Sequence, residues 1–470
     1  MRLAYGILTG GMNVAPPTTA SHCVFRRRFA FCLVLSIAPG VLGAQSPIDS
    51  ALAKYINGVR AIDNHAHPLL TPSPDPTAPA DTDNDALPLA GIPDFPMPAG
   101  LDPSNPRWIE PWRALYGYRY QDMAPDHVKE LITSKAAMAK RRGDQVANWA
   151  LDRMNVDVML GNRVTMGRGL QPPRFRWVSF VDALLFPLDV SGEAAVTPDR
   201  RVLYPRETKL LRRYMRDIQV GALPETLDDY LAGIVQPTLV RMKRDGAVAV
   251  KFEIAYLRPL RFGNPPHDSA AAVYARYIHG GVPSHAEYTA LEDFLFRTIA
   301  REAGRLGLVV HIHCLGFFGG YYPAGGSEPL NLESVFNDST LRSTRFVLLH
   351  GGWPYAAQTL VVFEKPNVYA DFSAMSQILS PHTLAGVLRM WLEEFPDKVL
   401  YGSDAFADHN EDPVGWPDQG WVASRAARRA LAEALTGMMR DGMVSRSRAE
   451  AIAVMVLRGN AAGLYHLGGG

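Results

Sequence analysis

After residue 60 the hydrophobic and polar positions fall into a long rhythm. A short run rich in Val, Ile, Leu and aromatics comes first, then polar residues, then a longer stretch with apolar positions at helical spacing. The short runs are Ala61–Asp63, Val156–Leu160, Trp177–Val181, Ala247–Phe252, Leu308–Ile312, Arg345–Leu349, Asn367–Asp371 and Lys398–Tyr401. Near-continuous apolar runs of this length suit parallel strands buried on both faces. The spacing predicts helices over Glu292–Leu306, Thr383–Phe395 and Arg425–Met439, and a final helix over Ser445–Leu467. Strands alternating with helices form βαβ units, so the pattern predicts an α/β chain closed into a distorted (β/α)8 TIM barrel. An open doubly wound sheet is the alternative, but no G-x-G-x-x-G follows the first strand.

Two connections are longer than a barrel needs. Residues 68–106 are dense in Pro and Asp and follow the first strand directly, at the carboxyl face of the barrel. Such a segment either covers the mouth as a lid or stays disordered; composition favours neither. The second insertion carries a loop from Arg261 to His285. Nothing calls for a second core, so residues 45–470 read as one barrel domain with long loops.

The start of the chain reads differently. Arg26, Arg27 and Arg28 precede an apolar run from Phe29 to Leu42 that ends in Gly43 and Ala44. A basic flank, a short apolar core and small closing residues make residues 1–44 an expected secretory signal peptide, and the protein secreted or periplasmic. A membrane anchor is the alternative, but the run is short for about 30 Å of hydrocarbon. Removing this segment takes four arginines and no acid, leaving 44 basic against 47 acidic residues. It also removes Cys23 and Cys32, so the mature chain keeps Cys314 alone and has no internal disulfide.

Composition then narrows the field. The 470 residues are 47% hydrophobic and 20% charged, with 48 Lys+Arg against 47 Asp+Glu. That balance offers no basic footprint for nucleic acid. No later stretch resembles a membrane span, so no membrane contact is expected after signal cleavage. The absence of repeats or low-complexity stalks argues against an adhesive surface protein. A small-molecule substrate is the expected partner, and a homo-oligomer is left open.

Chemistry concentrates at the carboxyl ends of the strands, the face on which barrels build active sites. The first strand ends Asp63-Asn64-His65-Ala66-His67, where alternation points His65 and His67 the same way, close enough to share an ion. The fourth carries Lys251, the fifth His311 and His313, the sixth ends at His350-Gly351-Gly352, and the eighth runs Tyr401-Gly402-Ser403-Asp404. Singly these have ordinary readings: His350 or Asp404 capping a helix, Lys251 reaching to solvent. Together they are hard to assign to chance, because ionisable groups in buried strands are costly without partners.

This set resembles the amidohydrolase superfamily, metal-dependent hydrolases on a distorted (β/α)8 barrel, in its amidohydrolase-related branch. The resemblance runs from about Ala61 to Leu467. It rests on Asn64-His65-Ala66-His67, Val310-His311-Ile312-His313, Phe346 to Tyr355, Leu400-Tyr401-Gly402-Ser403-Asp404-Ala405 and Arg458-Gly459-Asn460-Ala461. It implies that His65, His67 and Asp404 bind one divalent metal. It further implies that His313 and His350 bind a second, or that His313 joins the first site while His350 touches substrate. Lys251 corresponds to the lysine that two-metal members carbamylate to bridge their ions. The family usually supplies one metal-binding histidine from the fifth strand, so His311 reads as a hydrogen-bonded interior residue, and Asp63 as a partner of the ligands.

Imidazole and carboxylate donors suit Zn²⁺ foremost, with Mn²⁺ or Fe²⁺ as alternatives, as one ion or two. The expected chemistry is hydrolysis of an amide, ester, lactone or other C–N or C–O bond by an activated water, with Asp404 and His350 as catalytic groups. Two alternatives stand beside it: a metal-dependent decarboxylase of an aromatic or unsaturated carboxylic acid, and a non-catalytic metal-binding barrel. Arg163, Tyr321, Tyr322, Trp353, Tyr355 and His409 are substrate-side candidates, an arginine at the mouth suiting a carboxylate. His127, His267, His279, His285, His382 and His466 lie away from strand ends and read as structural or solvated.

Overall fold

The computed structural model describes residues 48–71, 81–87, 92, 97–316, 322–407, 409 and 412–467. The expected signal segment and Tyr321 lie outside the described residues. Eight parallel strands follow one another in sequence order around the sheet: β1 (Ala61–Ala66), β2 (Val156–Asn162), β3 (Phe175–Phe180), β4 (Ala247–Phe252), β5 (Val309–His313), β6 (Phe346–Leu349), β7 (Val368–Asp371) and β8 (Val399–Leu400). Each overlaps the apolar run that predicts it. Helices fill the connections, including His285–Arg305, Pro381–Leu392 and Trp416–Arg440 at the expected places. This is the (β/α)8 TIM barrel.

The ring closes without a regular ladder between its first and last strands. Hydrogen bonds run instead from Asn64 N to Tyr401 O and from His67 N to Ala405 O, both 2.8 Å, and from Asp404 N to His65 O at 2.7 Å. The backbone of the candidate ligands therefore forms the seam of the barrel.

One expectation changes in detail. The 261–285 insertion holds a helix, His267–Tyr277, that packs on His285–Arg305. The carboxyl tail is the expected helix, running without a break from Arg446 to Leu464 and widening to a π-helical turn at Met455–Gly459. Side chains at this turn anchor it to the barrel. Arg458 pairs with Asp157 at 2.8 Å, and the Asn460 amide donates to the carbonyls of Pro396 and Val399, both 2.8 Å. These bonds lead the last helix under the barrel. There Leu464 and Tyr465 join Ile62, Leu160, Val178, Ala249, Val309, Val347 and Leu400 in an apolar cluster separate from the larger one between strands and helices. The upper end of the interior is left to polar side chains.

Candidate metal centre at the barrel mouth

Ile62 and Asn64 face the interior cluster and Tyr465, so strict alternation would send His65 the other way. The register of β1 against β2 shifts between Asp63 and Ala66. We read that irregularity as what turns His65 into the mouth. Its Nε2 lies 3.1 Å from Asp404 Oδ1, and His67 Nε2 lies 3.9 Å from the same oxygen. Ligand atoms of His65, His67 and Asp404 all fall within 4.8 Å of one another. Asp404 sits in left-handed backbone at φ +55°, and His350 at φ +61°. Non-glycine residues in that region cost of order 1–3 kcal/mol, and such strain gathers at functional sites.

The surroundings orient each imidazole. His67 Nδ1 lies 3.0 Å from the carbonyl of Asn84 and donates to it, which leaves Nε2 with its lone pair. The Asn162 amide lies 2.6 Å from His65 Nδ1. An amide's oxygen and nitrogen exchange places by a flip. With the oxygen toward the ring, His65 donates from Nδ1, and the otherwise unpartnered Asn162 Oδ1 is satisfied. His65 Nε2 is then a buried ring nitrogen with no hydrogen-bond partner, as a metal ligand would be.

His350 and His313 lie beside this group and join no cluster of three donors among the described residues. A chain of bonds orders them. Ser373 Oγ donates to Asp371 Oδ1 at 2.6 Å and accepts from His350 Nδ1 at 3.0 Å, so His350 Nε2 accepts from His313 Nδ1 at 3.1 Å. His350 Nδ1 is also 3.8 Å from Asp404 Oδ2. Asp371 further accepts from His350 N and from Asn64 Nδ2, at 2.8 and 2.7 Å. Asn64 accepts from Tyr465, whose hydroxyl also meets His311 Nε2 at 2.7 Å. His311 is thus the interior hydrogen-bonded residue expected of it. Asp63 accepts from the backbone of His65 and Ser403, at 3.2 and 2.9 Å, and holds the seam.

Burial, reinforced by the positive charge of Lys251, holds His65, His67 and His350 well below the usual imidazole range. His313 is lowered by burial and then by His350. Neutral imidazole is the form that binds metal. Burial pushes the Asp404 carboxyl up to about 8, with Lys251 acting against it. A bound cation would pull it back down.

Lys251 is buried at the end of β4. Its Nζ is 2.8 Å from Glu253 Oε1 and 3.2 Å from His67 Nε2. Glu253 belongs to a second donor group, with His67 and Asp85. Neither carboxylate is among the residues singled out from sequence. Glu253 was legible, since it stands two positions after Lys251 and alternation puts both on one face. Asp85 carries no such signal, because it comes from the Pro/Asp-rich insertion.

That insertion crosses the mouth at residues 81–87. Asp81 takes a bidentate pair from the buried Arg163 at 2.7 and 2.9 Å, and Asp83 takes one from Arg213 at 2.7 and 2.9 Å. Arg163, a candidate for a substrate carboxylate, is therefore committed to Asp81. Tyr322 lies under the Arg200 guanidinium, 4.7 Å from ring centre to cation, and His409 is exposed. Trp353 and Tyr355 are half-buried in the loop after β6. His127, His279 and His285 pair with Asp122, Glu225 and Glu193 away from the mouth.

With this geometry the comparisons agree. Residues 238–467 match the family model described as amidohydrolase. Among solved structures it is similar to a candidate metal-dependent hydrolase from Lactobacillus casei ATCC 334, with TM-score 0.61 and 16% identity over 89% of this chain and 98% of that one. Glucuronate isomerase from Caulobacter crescentus matches with TM-score 0.57 and 13% identity, over 89% of this chain and 94% of that one. Uronate isomerase from Thermotoga maritima matches with TM-score 0.50 and 12% identity, over 89% and 98%. At these identities the likeness is one of fold. A comparison with curated proteins finds no match. Amidohydrolase-family proteins typically bind divalent metals, and the donors at this mouth fit one.

Proposed function

We propose that this chain is an exported metal-dependent hydrolase that cleaves an amide, ester, lactone or other C–N or C–O bond of a small molecule. The observation that carries the reading is the His65, His67 and Asp404 group: three donors in one 4.8 Å cluster, with both histidines oriented from behind. These residues would hold the ion. When bound, a divalent ion supplies Lewis acidity, polarising a carbonyl and lowering the pKa of water from about 15.7 towards about 7.

The chain supplies the rest. Asp404 presents a second carboxylate oxygen towards His350 and accepts the proton of the attacking water, then returns it to the leaving group. His350, fixed by Ser373 and Asp371, stands 3.8 Å from the Asp404 carboxylate, where it could touch a bound substrate. Residues 81–87 lie against His67, whose Nδ1 donates to the Asn84 carbonyl. Export is supported by the basic-then-apolar pattern before residue 45.

The test is a substrate screen on the metal-loaded protein in heavy-oxygen water, with Asp404→Asn alongside. Hydrolysis places one label in the product, and Asp404→Asn keeps most of the metal while turnover falls by about 10²-fold or more. Carbon dioxide release without label would favour the decarboxylase. Isomerisation without label would overturn both.

A further inference from the structure

The largest unexplained feature lies behind His67. Four carboxylates, from Asp85, Asp182, Glu207 and Glu253, converge on the end of β4. Asp182 is 1% exposed, and Glu207 and Glu253 are fully buried. Burial and then the charge of Glu253 push both Asp85 and Asp182 well above the usual carboxylate range. Glu207 is raised too, by burial first and then by the charges of Asp182, Glu253 and Asp85. Neither oxygen of Glu207 has a hydrogen-bond partner. Asp182 is accounted for, since both its oxygens accept from Glu253 N at 2.8 and 2.9 Å. Carboxylates buried this closely either keep their protons or pair with a cation.

One is present. Lys251 Nζ stands 2.8 Å from Glu253 and 3.2 Å from His67 Nε2, two of the three members of the second donor group. We propose that the Lys251 ammonium is the resident cation of this chamber and fills the place of a second metal ion, so that the enzyme works with one ion and one lysine charge. The inference rests on the metal-centre reading above. It departs from the carbamate that the family resemblance implies for Lys251.

Geometry and charge both favour the ammonium. Carbamylation would turn a positive group into a negative one beside Glu253 and Asp85, in a chamber already rich in carboxylates. The histidines that a bridging carbamate would need as co-ligands are tied to each other: His350 Nε2 accepts from His313 Nδ1, and His350 Nδ1 is held by Ser373. Lys251 instead points at the donors that lack a cation. The Asp85 and Glu253 carboxylates, with His67 at their edge, thus form a latent site for a hard divalent ion such as Mn²⁺.

The experiment is metal stoichiometry by elemental analysis after equilibration with Mn²⁺, on the wild-type protein and three variants. Wild type is expected to hold about one ion per chain, and Lys251→Ala, which vacates the chamber, about two. Lys251→Ala with Glu253→Gln should return to about one, and Lys251→Met, which fills the space without charge, should stay at about one. A Lys251→Ala count that stays at one overturns the proposal and leaves the metal-centre reading standing. No ion in wild type overturns both.

A check that needs no variant is carbon-13 NMR of wild-type protein reconstituted in labelled bicarbonate. No lysine carbamate signal is expected. Such a signal, with two ions per chain, overturns the proposal even if Lys251→Ala does not fold.

Discussion

His67 Nδ1 lies 3.0 Å from the carbonyl oxygen of Asn84, so a residue at the end of β1 is oriented by a loop seventeen positions further on. The loop stays there because Asp81 and Asp83 are clamped by arginines, and the two clamps differ in worth. Arg163 and Asp81 have side chains 0% and 7% exposed, whereas Arg213 and Asp83 are 34% and 23% exposed. Arg163→Ala strands a buried carboxylate and should cost about 3–5 kcal/mol. Arg213→Ala should cost about 1 kcal/mol or less. Denaturant melts of the two variants read this ordering directly. A metal titration should show weaker binding for Arg163→Ala, by about 10–100-fold, because His67 loses its oriented partner.

Tyr465 offers a second measurement, remote from the mouth. Its hydroxyl serves both His311 and Asn64 beneath the site. Tyr465→Phe leaves two buried polar groups short of a partner and should lower stability by about 1–3 kcal/mol. The number of metal ions per chain should not change. Urea melts paired with elemental analysis separate the two effects.

Gly351 follows His350 at φ +56°, and a Cβ there would lie 2.3 Å from the Trp391 ring and 3.0 Å from the carbonyl of Asp371. A fully buried ring and a backbone carbonyl this close leave no easy retreat. Gly351→Ala should destabilise by about 1–3 kcal/mol or more and displace His350, visible as a loss of turnover beyond that of the folded fraction.

Helix His285–Arg305 makes a pH prediction. Glu287, its third residue, is held at about 2 by hydrogen bonds from the Ser284 hydroxyl and backbone, then by Tyr277 and Arg276, against an ordinary value of 4.5. As pH falls the unfolded chain takes up this proton first. The cap therefore contributes fully above about 4.5 and is lost as pH falls towards about 2. Thermal midpoints of Glu287→Gln should lie below wild type at neutral pH and converge on it across that acid range. Parallel curves would show that the cap contributes nothing.

Much of this was legible in the chain before the structure, for physical reasons. Parallel strands buried on both faces leave apolar runs that sequence displays openly, and each of the eight runs became a strand. His65, His67 and Asp404 were legible because polar groups at the ends of such runs stand out. Asp85 and Asn84 were not, since a Pro/Asp-rich insertion has no period to fix which residue meets the site. The tail was legible as a helix from its spacing; the π-helical turn inside it, where Arg458 and Asn460 bond to the barrel, was not. Arg163 was visible as a charge at the mouth, yet its owner, Asp81, stands 82 positions earlier in the same insertion.

The seam has a last consequence. His65 and Asp404 come from the first and last strands, and some 340 residues separate the two sides of that joint. An ion held by both would make the intervening chain a ring. It would act as a rivet, in a protein whose described residues contain a single buried cysteine, Cys314. A ring of that length loses much of the freedom an open chain gains on unfolding. Chemistry and durability would then share one fastening: stripping the ion should silence the enzyme and also let the barrel part along the line where it was joined.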